Sequence, residues 1–186
     1  MRAALAFVKE NYKHPLKVAE IGVAEGLHAI ELYENLNIDR LILIDIWSIY
    51  TVRYNIAASV HELVKSELTA NFISYYDKVK NLFANKNNVD IIKGASLEVA
   101  QNFEDNSFDF VYIDASHDYK DVLADLECWY AKVKPGGVLA GHDYCLVWDE
   151  VKLAVDEFVK LHNLMLNIDK NFEINDFHNW DWWIIK

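Results

Sequence analysis

Residues 17–26, KVAEIGVAEG, decide the fold. A short apolar run from Val18 to Ile21 meets two glycines four apart, Gly22 and Gly26, and a helical pattern follows. Glycine permits positive φ and lets a backbone approach a ligand closely, so the segment reads as a strand turning sharply into a helix. It is not the dinucleotide fingerprint G-x-G-x-x-G, because Ala24 stands where the second glycine belongs and His28 falls near the third. It is not a P-loop, because no Gly-Lys-Ser/Thr follows. Taken alone, the two glycines also fit a tight turn with no ligand.

Outward from this loop, the chain alternates short apolar runs with stretches of helical period. Residues 17–22, 41–46, 89–93, 108–113 and 137–140 are apolar on both faces, as central parallel strands are. Between them, Val64, Leu68, Phe72, Tyr76, Val79 and Phe83 step by three or four, behind a Ser59-x-x-Glu62 capping box that starts a helix near residue 60. Val122, Leu126, Trp129 and Val133 form a second helical stripe, and Trp148, Val151, Val155 and Phe158 a third. Residues 2–12 read as a leading helix. Extended segments near 165–174 and 180–185 read as a closing antiparallel pair, with Trp182 and Trp183 on opposite faces and the tryptophans packed in the core. The expectation is one α/β domain over residues 1–186. Its sheet is Rossmann-like, doubly wound and mostly parallel, ends in the antiparallel pair, and lies inside three α/β/α layers.

Composition narrows the partners. With 29 acidic and 18 basic residues the net charge is −11, and no Lys/Arg run offers a patch for nucleic acid or an anionic membrane. No stretch approaches the roughly 18 apolar residues of a membrane span. Two cysteines, Cys128 and Cys145, exclude a disulfide framework and suit a reducing compartment, so the expected location is cytoplasmic.

In a doubly wound sheet the ligand lies outside the carboxyl ends of the strands. Asp45 ends the second strand 19 residues beyond Gly26, near the spacing of about 20 at which a carboxylate accepts ribose hydroxyls. Gly94-Ala95-Ser96 follows the third strand; Ser96 suits either an adenine edge or a helix N-cap. Asp114, Ser116, His117 and Asp118 follow the fourth, with Asp118 a candidate cap. Gly141, His142 and Asp143 follow the fifth. Adjacent parallel strands bring Asp114 near His142 and Asp143, a donor set suited to a hard or borderline divalent ion. His117 and His142 are the candidate proton acceptors, His117 first. The aromatic stretch 47–60, with Trp47, Tyr50, Arg53 and Tyr54, reads equally as a lid over an acceptor pocket and as a buried segment or homodimer contact.

The ordered set Glu20-Ile-Gly22-Val-Ala-Glu-Gly26, Asp45, Asp114-Ala-Ser-His117-Asp-Tyr119, Asp125-Leu126, Trp129, Lys134-Pro-Gly-Gly137 and Gly141-His142-Asp143-Tyr144 resembles the class I S-adenosylmethionine-dependent methyltransferases over roughly residues 15–160. It is most similar to their small-molecule O-methyltransferase branch, in which the Lys-Pro-Gly-Gly stretch is a turn before the fifth strand. The resemblance implies that Glu20, Gly22 and Gly26 hold the methionine part of the cofactor, Asp45 the ribose, and Ala95 and Ser96 the adenine. Asp114 would face the reacting methyl group. It further implies a divalent cation such as Mg2+ on Asp114, His142 and Asp143, with His142 departing from the acidic residue found in metal-dependent relatives. The implied reaction is O-methylation of a small hydroxylated molecule, a sugar or secondary metabolite. A nicotinamide oxidoreductase on a similar sheet and a non-catalytic cofactor-binding protein are the alternatives.

Overall fold

The computed structural model describes residues 1–48, 74–145, 149–169 and 180–186. In chain order the elements are α1 (Ala3–Asn11), β1 (Leu16–Ile21), α2 (Leu27–Asn35), β2 (Ile38–Asp45), the helical residues 74–82 (α3), β3 (Val89–Lys93), α4 (Ser96–Ala100) and β4 (Phe108–Ile113). They continue with α5 (Tyr119–Lys132), β5 (Val133–Gly141), α6 (Asp149–Leu161), β6 (Asn167–Ile168) and β7 (Trp182–Ile185). The strands form one sheet in the order β3-β2-β1-β4-β5-β7-β6. β3, β2, β1, β4 and β5 run parallel, while β7 is antiparallel to both β5 and β6. The Rossmann-like expectation with its closing antiparallel pair therefore holds.

Alternation along the strands divides the core in two. On one face Ile21, Ile44, Val111 and Leu139 meet Leu126, Trp129, Val155 and Phe158 of α5 and α6. On the other, Val18, Leu43, Phe110 and Val138 meet Leu5, Val8 and Leu32 of α1 and α2 and Val79 of α3. β4, FDFVYI, is buried at every residue because helices cover both faces. The α5 stripe of Val122, Asp125, Leu126 and Trp129 has the 3–4 spacing of one helix face, with an aspartate inside it. Trp182 and Trp183 are both buried, one in each half of the core, as alternation requires.

One boundary differs in kind. β5 begins at Val133, so Lys134-Pro135-Gly136-Gly137 lies inside the strand and is not a turn before it. Register slips there: Phe108 pairs with Val133, yet Phe110 pairs with Val138. The extra residues are accommodated at Gly136, whose φ of +79° suits glycine, and the bulge is tied to the C-terminal strand by Gly136 N–H donating to Lys186 O. The Ser59–Glu62 capping box and the parts of the three longer readings at 49–73, 146–148 and 170–174 lie outside the described residues. Among the described residues no helix is long and apolar enough to cross a membrane.

The order of winding reverses between β1, from which the chain goes on to β2 and β3 on one side, and β4, from which it goes on to β5 on the other. The crevice of a doubly wound sheet opens at this switch point, outside the ends of β1 and β4.

Candidate active site

The β1–α2 loop is fixed from three sides. Gly22, Ala24 and Gly26 all have positive φ, at +87°, 47° and +85°. A Cβ on Gly22 would lie 1.9 Å from the carbonyl oxygen of Asp114, so no larger residue fits between β1 and β4. Asp45, at the end of β2, accepts the N–H of Ala24 on Oδ2 at 2.8 Å and that of Trp47 on Oδ1 at 2.7 Å. Trp47 Nε1 in turn donates to Ala24 O at 2.8 Å. Trp47 is 1% exposed and packs on Tyr76, so it braces the loop as a buried side chain. Residues 49–60 of that aromatic stretch are outside the described residues.

Glu20 and His28 lie behind the loop. Glu20 is 1% exposed, its Oε1 is 3.1 Å from His28 Nδ1, and its Oε2 has no hydrogen-bond partner among the described residues. Burial pushes the Glu20 carboxyl up, and nearby Asp114 adds to the shift against the opposing charge of Arg2. Burial pushes His28 down to about 4, helped by Arg2. Both directions favour a neutral pair. The Glu20–His28 contact joins the end of β1 to α2.

At the end of β3, Gly94 and Ala95 are small, and Ala95 is the N-cap of α4. Ser96 is already the first helical residue. Its hydroxyl donates to Asp125 Oδ1 at 2.5 Å and accepts from Trp129 Nε1 at 2.8 Å. The single O–H donor of Ser96 is therefore spent in the core, and Ser96 is not the N-cap; one acceptor lone pair of its hydroxyl remains. Burial raises Asp125 to about 6, against the lowering effect of the Ser96 bond.

The ends of β4 and β5 carry the densest polar group. Asp114, His117 and Asp143 each present one donor atom, all within 4.8 Å of one another. His117 Nε2 donates to Asp143 Oδ2 at 2.8 Å, and His142 Nδ1 lies 3.3 Å from Asp143 Oδ1. Asp143 is buried and held at φ 61°, a left-handed conformation uncommon for aspartate. Burial alone would raise its carboxyl; hydrogen bonds from His117 and His142 reverse this and hold it well below the ordinary range. The bond to Asp143 raises His117, against a smaller opposing effect of burial. The set that converges for a cation thus contains His117 where His142 was expected. Asp118 is the N-cap of α5 by position, but its side chain makes no capping bond; Glu150 instead accepts the Tyr119 N–H at 2.7 Å.

Sequence reasoning missed a second polar group on the other side of Asp114. Arg2 Nη1 donates to Tyr112 Oη and to Asp114 Oδ2, both at 2.8 Å. Buried Tyr112 donates to Asp181 Oδ1 at 2.6 Å, and Asp181 Oδ2 accepts the N–H of Ala4 at 2.9 Å. The one available signal was composition: of 18 basic residues only three, Arg2, Arg40 and Arg53, are arginine.

A doubly wound sheet with a pinned glycine loop, an acid at the end of β2 and a carboxylate–imidazole cluster behind β4 and β5 defines a class I S-adenosylmethionine-dependent methyltransferase. Residues 19–144 match the family described as methyltransferase domain, and the chain belongs to it. The uncharacterized protein y4gI of Sinorhizobium fredii is 36% identical over 53 residues, which make up 28% of this chain and 6% of that protein. An O-methyltransferase from Bacillus cereus, solved in complex with SAH, superposes with a TM-score of 0.65 at 16% identity, covering 98% of this chain and 79% of that one. Spermidine synthase from Thermotoga maritima superposes with a TM-score of 0.63 at 17% identity, covering all of this chain but 57% of the synthase. At these identities the structural likeness is one of fold.

Proposed function

We propose that this domain binds S-adenosylmethionine across the β3–β2–β1–β4 crevice and methylates an oxygen of a small hydroxylated molecule, with a divalent cation held by Asp114, His117 and Asp143. The convergence of those three side chains beside the glycine loop carries the reading. The crevice fits such a cofactor in its chemistry. Asp45 keeps acceptor capacity for ribose hydroxyls beyond the two N–H groups it already receives. Gly94 and Ala95 put small residues at the β3 end.

The bound sulfonium supplies an activated methyl group for in-line displacement, so the protein's main task is alignment. A divalent ion supplies polarisation that makes an acceptor hydroxyl more acidic. Asp114 and Asp143 provide hard oxygen donors and His117 a borderline nitrogen, a set compatible with Mg2+ or Mn2+. With His117 among the ligands, His142 is the side chain left to take the acceptor's proton, its Nδ1 oriented by Asp143.

Calorimetry with S-adenosylmethionine, S-adenosylhomocysteine and NAD tests this reading. Binding of the two sulfur nucleosides, weakened about 10- to 100-fold in Asp45→Ala, is expected from the loss of charge-assisted hydrogen bonds. Binding of NAD alone would replace the reading with an oxidoreductase.

A further inference from the structure

We propose that Arg2 is the receptor for the α-carboxylate of the cofactor's amino-acid tail, and that it makes the site selective for carboxylated over decarboxylated sulfonium nucleosides. The inference rests on the cofactor reading above. Strand order gives the direction. β3 and β2 lie on one side of β1 and β4 on the other. A ligand with its base over Gly94 and Ala95 and its ribose on Asp45 must run its remaining arm over Gly22 toward Asp114. The cation waiting there is Arg2, on Asp114 Oδ2 at 2.8 Å.

The guanidinium is held but not saturated. Among the described residues, Nη1 makes both of the guanidinium's hydrogen bonds, to Tyr112 and Asp114, and Nε and Nη2 make none. The side chain is 28% exposed and so is not sealed in the core. Two adjacent guanidinium N–H groups match the two oxygens of a carboxylate, a geometry that an ammonium cannot supply. The Asp181–Tyr112 hydrogen bond fixes the acceptor on which Arg2 rests, so the fork is oriented before any ligand arrives. Asp114 neutralises Arg2 on one edge and leaves the other edge for an anion. A decarboxylated ligand would leave that edge unpaired and add nothing to offset it.

The test compares S-adenosylmethionine with decarboxylated S-adenosylmethionine by calorimetry on the wild-type chain, Arg2→Gln and Arg2→Lys. The wild type should prefer the carboxylated ligand about 10- to 100-fold, the range for charge-assisted hydrogen bonds. Arg2→Gln should lose that preference by weakening only the carboxylated ligand, and Arg2→Lys should retain part of it. Equal wild-type affinity for the two ligands overturns the proposal without any variant. Equal weakening of both ligands in Arg2→Gln also overturns it, because Arg2 would then act only through Asp114. Failure of the wild type to bind either ligand sinks the cofactor reading itself.

Discussion

His117 Nε2 lies 2.8 Å from Asp143 Oδ2, and this contact joins the end of β4 to the end of β5 at the mouth of the crevice. Each residue shifts the other's proton equilibrium. The bond raises His117 from its ordinary 6.5, and the imidazoles depress Asp143 from its ordinary 3.8 despite its burial.

The first prediction follows from the sign of these shifts. The His117 contribution to stability is full below its unfolded value of 6.5 and is lost as pH rises through the raised folded value. The Asp143 contribution is present above 3.8 and is lost only as pH falls through its depressed folded value. The stability gap between wild type and Asp143→Asn should therefore be widest between about pH 4 and pH 6.5 and shrink above it. Histidine NMR titration checks the cause: His117 should titrate lower in Asp143→Asn, and an unmoved curve would contradict the pairing.

Gly22 is replaceable by nothing larger. Alanine would place a Cβ 1.9 Å from the Asp114 carbonyl oxygen at a φ of +87°. Gly22→Ala should cost about 3 kcal/mol or more in urea unfolding, as strands β1 and β4 are forced apart. Gly136→Ala meets no atom within 4 Å and carries only its positive φ, so it should cost roughly 1 kcal/mol. Equal losses at the two sites would refute the close approach.

Asp125 offers a pH signature away from the crevice. Its carboxyl is raised from 3.8 to about 6 by burial. A raised folded value gives stability that is full below 3.8 and falls as pH rises through about 6. Asp125→Asn should thus gain on the wild type between these values, by on the order of 2 kcal/mol, and the difference should level off above them. A flat difference curve in pH-dependent unfolding would show that Asp125 stays charged.

The cation prediction separates His117 from His142. Mn2+ titration followed by electron paramagnetic resonance should show one bound ion, lost in Asp143→Ala and weakened at least about tenfold in His117→Ala. His142→Ala should leave most of the affinity. Loss in His142→Ala with retention in His117→Ala would restore the ligand set expected from sequence.

Much of the frame was legible because burial on both faces leaves a plain mark. β3 and β4 have the bounds read from their apolar runs, and Asp45 and Asp114 fall at strand ends where spacing placed them. β5 was read short because Lys134-Pro135-Gly136-Gly137 resembles a turn, and only pairing with β4 and the C-terminal strand shows it as a bulge. The N-cap reading of Ser96 fails because the partners of its hydroxyl, Asp125 and Trp129, sit one helical turn apart on α5, 29 and 33 residues away. Arg2 could not be placed at all. Its partners Tyr112 and Asp114 are 110 and 112 residues distant, and no local pattern marks such a contact. His117 replaced His142 in the converging set for a similar reason: loop geometry after β4, which periodicity does not encode, decides which imidazole reaches Asp143 from the side of Asp114.

The central claim is that the crevice orients a sulfonium nucleoside with its reacting centre at Asp114. A crystal structure of the chain with S-adenosylhomocysteine tests it most directly. The ribose hydroxyls should lie on Asp45, the sulfur beside Asp114, and the carboxylate within hydrogen-bond reach of Arg2. A nucleoside bound in the reverse direction, or outside the β1–β4 switch point, would contradict the account.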